Sequence, residues 1–98
     1  MAIDLNAIER YLCQIEQGYF TTGPFNENRV RDDLRYRPVY EFSQKKNFYI
    51  QDFNENLGYI NKVLEWLENQ RPLDTALISR CKKCKDQMNK LLGIVNSF

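Results

Sequence analysis

Two heptad seams lie back to back in the second half of this chain, and they restrict it to a helical fold. Leu77, Cys81, Cys84, Met88, Leu91, Val95 and Phe98 are spaced 4, 3, 4, 3, 4, 3, and Ile78, Leu92 and Ile94 widen that stripe. Ile50, Phe53, Leu57, Ile60, Leu64 and Leu67 repeat the spacing one segment earlier, widened by Val63. Apolar residues at this period occupy one face of an α-helix and must be buried against a partner face. The spacing predicts helices over about 48–69 and about 75–96. The connector between them is too short for anything but a reversal, so the two should form a long antiparallel hairpin. Asp74 can cap the second helix. Gly58, inside the first, costs about 1 kcal/mol against alanine and weakens its continuity.

The N-terminal segment carries the same period. Leu5, Ile8, Leu12, Ile15 and Tyr19 are spaced 3, 4, 3, 4. Asp4 can cap the start and Gly18 can end the helix, giving a third helix over about 4–18 that covers the hairpin seam. Residues 20–47 are less regular. Thr22-Gly-Pro marks a turn, and Pro38 forbids a continuous helix through its position. Asn26 can cap a short helix over 27–36, with Phe25 and Val30 at hydrophobic-staple spacing. Val39-Tyr-Glu-Phe is compatible with extended structure or a helical turn. The expected fold is all-α: a small three- or four-helix bundle in a single domain, residues 1–98.

Charge supports such packing. Residues 1–27 and 47–78 are net acidic, and residues 28–46 and 79–98 net basic, within a total of +1. Segments of opposite sign can lie side by side. The near-neutral total does not demand a polyanionic partner. No apolar run approaches the ~20 residues that cross a bilayer, and the first residues do not read as a signal peptide. Three cysteines, an odd number, are expected as free thiols in a reducing compartment, hence a cytoplasmic protein.

The absence of histidine removes the commonest general base and every His-containing zinc set. No glycine-rich phosphate-binding motif is present. The chain is therefore expected to be no enzyme, without cofactor or metal. The stretch Arg80-Cys-Lys-Lys-Cys-Lys sets two cysteines three apart among four cations. A zinc knuckle places C-x-x-C on a turn with a second ligand pair, whereas Cys81 and Cys84 sit on the apolar seam with only Cys13 left over. A redox C-x-x-C wants a helix N-terminus after a strand. Core packing as small apolar side chains is the reading their positions favour.

Two surface constellations remain. Arg80, Lys82, Lys83, Lys85 and Lys90 could present a phosphate-contacting face, which with the basic block 29–46 makes nucleic-acid binding the alternative function. The usual explanation of lysines on a helix is a solvated face. The second constellation is Arg29, Arg31, Arg35, Tyr36, Arg37 and Tyr40, in a stretch where eight of the thirteen aromatics fall. Arginine and tyrosine are the types enriched at interface hot spots. The plainer reading has the aromatics plug the bundle while the arginines pair with Asp32, Asp33 and the acidic first helix. The leading expectation is a non-catalytic module for binding another protein (an adaptor, small regulator or inhibitor) that presents this segment from a helical support. Self-association is a further alternative, because heptad seams can be satisfied between chains.

Overall fold

A computed structural model of the chain describes residues 3–16 and 26–98. These residues form α1 (Leu5–Gln14), α2 (Glu27–Arg35), α3 (Val39–Glu68) and α4 (Thr75–Asn96), with no strand among them. Each predicted N-cap is in place. Asp4 accepts from the Ala7 N–H at 2.8 Å, Asn26 from that of Arg29 at 3.0 Å and Asp74 from that of Leu77 at 3.1 Å. Each satisfies one of the donors a helix start leaves unpaired. Gly18 and the Phe25 half of the expected staple lie outside the described residues.

α3 corrects the expected boundary. It begins at Val39 and runs 30 residues without interruption, where a start near 48 was expected. Pro38 does end helical structure behind it, but it also begins the next helix. As the N-cap it has no N–H to leave unsatisfied, and its carbonyl accepts from Glu41 and Phe42 at 2.9 and 3.0 Å. The stretch 39–47 was hard to read because only Phe42 turns toward the core there, so no seam marks it. Gly58 does not break the helix. Its α-carbon faces open space, so the penalty is one of propensity alone.

α3 and α4 form the expected antiparallel hairpin and share the most extensive packing. Their seams face one another: Phe53, Leu57, Ile60, Val63, Leu64 and Leu67 are buried against Leu77, Cys81, Cys84, Met88, Leu91, Ile94 and Val95. Trp66 is partly buried and packs on this core. At the turn, Asn69, Gln70 and Arg71 side chains donate to carbonyls of the last turn of α3, adding to the few backbone donors a helix end offers.

α1 and α2 lie in tandem along the hairpin groove. α1 covers the turn-proximal half. Ile8, Leu12 and Ile15 are buried there, the Tyr11 hydroxyl donates to Asn56 Oδ1 at 2.7 Å, and its ring meets Tyr59 edge-on at 4.6 Å. The Arg80 guanidinium reaches back from α4 to Glu9 at 2.7 Å and Glu16 at 3.0 Å, the basic-to-acidic pairing that the charge blocks predict. Leu5, expected on this seam, is instead half exposed, because it sits beyond the last turn of core at the hairpin's closed end. α2 covers the other half, burying Val30 and Leu34, with Glu27 held by Lys90 at 3.0 Å. Lys46 Nζ donates to the Phe98 carbonyl at 3.4 Å and ties the start of α3 to the end of α4. The body is a rod of 51 × 21 × 21 Å, with the α3–α4 turn at one end and the α2–α3 corner at the other.

Candidate functional site

The α2–α3 corner carries the residues singled out in the sequence. Its backbone is fixed by Pro38, and its side chains by Asp33 on the last turns of α2. Asp33 Oδ2 accepts from the Tyr49 hydroxyl at 2.6 Å and lies 3.4 Å from Lys45 Nζ, while Oδ1 pairs with Arg37. Arg37 also reaches Glu41 at 3.4 Å, so this one guanidinium bridges the two helices across the proline. Burial alone would raise the Asp33 carboxyl. Donation from Tyr49 and Arg37, with the charge of Lys45, outweighs burial and holds the carboxyl below its ordinary range. Burial first, and then the hydrogen bond to a carboxylate, push the Tyr49 phenol well above its own. Lys45 further sits over the Phe48 ring at 5.0 Å.

This network divides the six candidate residues. Arg37 is locked into the corner. Arg31 pairs with Glu27 at 3.1 Å on its own helix, and Arg29 lines the polar recess beside Asp32, Asp33, Arg37 and Lys45. Arg35, Tyr36 and Tyr40 project outward, and no ion pair engages Arg35 among the described residues. Tyr36 is 75% exposed, Tyr40 79% and Val39, between them, 91%. These aromatics do not plug the bundle. Tyr49, read as one of the same aromatic group, does: it is 3% exposed and stacks on Phe53 at 5.6 Å. Val39 is the contributor that sequence reasoning missed, and its only signal was its place directly after Pro38.

The second set of cations does not form one free face. Arg80 is committed to Glu9 and Glu16, and Lys90 to Glu27. Lys82 and Lys85 line a shallow recess with Glu65, Glu68 and Asp86, and Lys83 beside them is exposed. The cysteines between them are core residues. Cys81 and Cys84 are 1% and 0% exposed, and burial pushes both thiols up to about 11. Such thiols are poor nucleophiles and poor ligands at neutral pH. Cys13 is partly exposed, 3.9 Å from an Arg80 nitrogen. Among the described residues no three acidic, cysteine or histidine side chains converge as a metal set, and no helix is long and apolar enough to cross a membrane.

Comparison with family models, with curated proteins and with solved structures found no match for this chain.

Proposed function

We infer that this chain is a non-catalytic protein-interaction module whose binding surface is the α2–α3 corner, with Tyr36, Val39 and Tyr40 as the apolar contact and Arg35 as its charged neighbour. The observation that carries the reading is the solvent exposure of these three side chains, between 75 and 91%, at a corner whose backbone and flanking ion pairs are fixed. Large exposed apolar side chains gathered at one corner and rimmed by polar ones are a mark of interaction sites. A rigid presentation also lowers the ordering cost of docking, and tyrosine and arginine supply large, directed contacts. The seam residues are buried within one copy, which leaves the corner as the exposed apolar surface of this half. An adaptor, a small regulator or an inhibitor would each use such a surface. The free thiols, two of them buried, fit a reducing cytoplasm. Nucleic-acid binding draws less support, because Arg80 and Lys90 are held by carboxylates.

The test is capture from nuclease-treated lysate on three immobilised forms: the parent, Tyr36→Ser with Tyr40→Ser, and Lys82→Ala with Lys83→Ala. The tyrosine pair should weaken the captured species by ~1–3 kcal/mol per hot-spot residue without changing the melting temperature. The lysine pair should retain it. Capture lost only with the lysine pair, or abolished by the nuclease, would reverse the reading.

A further inference from the structure

The first half of α3 reverses the usual order of charge and solvent. Between residues 39 and 54 no exposed residue is charged. Tyr40, Gln44, Asn47 and Gln51, spaced 4, 3 and 4, run along the centre of this outer face, with Val39 and Phe48 beside them. The spacing is that of the buried seam, on the opposite side of the same helix. Glu41, Lys45, Lys46 and Asp52, the charged residues of the stretch, are all partly buried, and the first three are engaged by Arg37, Asp33 and the Phe98 carbonyl. A helix face meant for water does the opposite. The other helices and the second half of α3 do expose charge, as at Glu9, Arg29, Lys82 and Glu65. Loss of charge together with gain of aromatic side chains is the composition of an interface centre. Among the described residues the side chains of Gln44 and Asn47 make no hydrogen bond.

We propose that the outer faces of α3 from two copies pack antiparallel about a two-fold axis, so that the chain forms a homodimer. This rests on the corner being an interaction surface; it names a second copy as the partner and extends the surface from Tyr40 to Gln51. Three features point to a second copy. A two-fold contact sets a patch against its own image, so any exposed charge near its centre repels itself, and this face carries none. A side-chain amide both donates and accepts, so amides can satisfy one another. With the axis passing between positions 45 and 46, Gln44 of each copy lies opposite Asn47 of the other, and Tyr40 opposite Gln51. The ends of the face are complementary as well. Glu55 accepts from Gln51 at 3.1 Å, which carries the face onward, and it makes no ion pair among the described residues. Arg35, exposed at the corner, makes none either. The antiparallel arrangement brings Glu55 of each copy to the corner of the other, whereas a parallel one sets like charge on like. The exposed rings and the polar side chains between them offer on the order of 600 Å² per copy, hence on the order of 1,200 Å² in all, the lower end for a specific interface. Dissociation is accordingly in the range of about 10–100 μM.

Sedimentation velocity of the full chain, from about 1 μM to about 1 mM, tests this directly. The weight-average sedimentation coefficient should rise with concentration and level off at the dimer. Gln44→Lys and Gln44→Glu each place like charges beside the axis and should each weaken the dimer by about 100-fold. Mixed in equal amounts, the two variants should pair. Gln44 is exposed, so melting curves of both at low concentration should match the parent. Arg35→Glu should weaken the dimer, and Arg35→Glu with Glu55→Lys should restore it, while Lys83→Glu leaves it unchanged. A parent that stays monomeric throughout overturns the proposal, and so does a mixture that does not pair; in either case the corner remains open to a different protein. A double charge reversal that fails to restore the dimer overturns the antiparallel register. A dimer that neither Gln44→Lys nor Tyr36→Ser with Tyr40→Ser weakens forms through another surface, which would overturn both this proposal and the reading of the corner on which it rests.

Discussion

Replacing Asp33 with asparagine tests whether the corner is rigid for the reason given. Asparagine keeps the size of the side chain and an oxygen that can accept from Tyr49, but it removes the charge. A hydrogen bond to a charged group contributes ~1.5–3 kcal/mol and a neutral one ~0.5–1.5, so the loss on the Tyr49 contact alone is ~1–2 kcal/mol. The ion pairs with Arg37 and Lys45 are partly exposed and add little. For a domain of this size each kcal/mol moves the melting temperature by ~4–8 °C, so Asp33→Asn should melt about 5–15 °C below the parent at pH 7. The pH dependence has a definite sign. Asp33 in the folded chain ionises below the ordinary carboxylate range, so its contribution is complete above the unfolded-state value of about 4 and is lost as pH falls through the lower folded value. Parent and variant should therefore converge in strong acid. Asp52, raised by burial and then by Glu55, acts with the opposite sign but equally in both proteins, and cancels from the difference. Urea unfolding of parent, Asp33→Asn, Tyr49→Phe and the double variant, at pH 7 and in acid, gives the coupling directly. Additive effects at pH 7, or a gap that persists unchanged in acid, would refute the account of Asp33 as the residue that organises the corner.

Three further outcomes follow from particular positions. Gly58→Ala should raise stability by ~0.5–1 kcal/mol, since the added methyl meets nothing and helix propensity improves; calorimetry on the variant checks it. A thiol reagent at mildly alkaline pH should label Cys13 quickly and leave Cys81 and Cys84 protected until the chain unfolds, and Cys81→Ala with Cys84→Ala should cost ~1–3 kcal/mol in total by urea titration.

Much of this was legible in residue order because helices write their burial into a period. The seams of α3 and α4, the Asp4, Asn26 and Asp74 caps and the core placement of Cys81 and Cys84 all depend on local spacing. The misplaced start of α3 shows the limit of that signal: with Phe42 alone turned inward, there is no period to detect, and a proline marks a stop and a start alike. The corner was legible only in part. Arg37 meets Asp33 and Glu41 at i,i+4 spacing, but that Asp33 also gathers Lys45 and Tyr49 from the next helix depends on contacts 12 and 16 positions apart. The half exposure of Leu5 depends on where the hairpin ends in space, which spacing does not encode.

The tandem placement of α1 and α2 has a consequence for motion on the time scale of hydrogen exchange. Each short helix covers its own half of the hairpin, through its own set of contacts: Arg80, Asn56 and Tyr59 for α1, and Tyr49, Lys45 and Lys90 for α2. Among the described residues these two sets have no side chain in common. The rod is thus built for two separate local openings beneath the energy of global unfolding. Amides of α1 and α2 should exchange in two independent groups, ahead of the slow amides in the facing seams of α3 and α4. Opening of the α1 group would bare Cys81 and Cys84 without disturbing the corner, and opening of the α2 group would release the corner while those thiols stay covered.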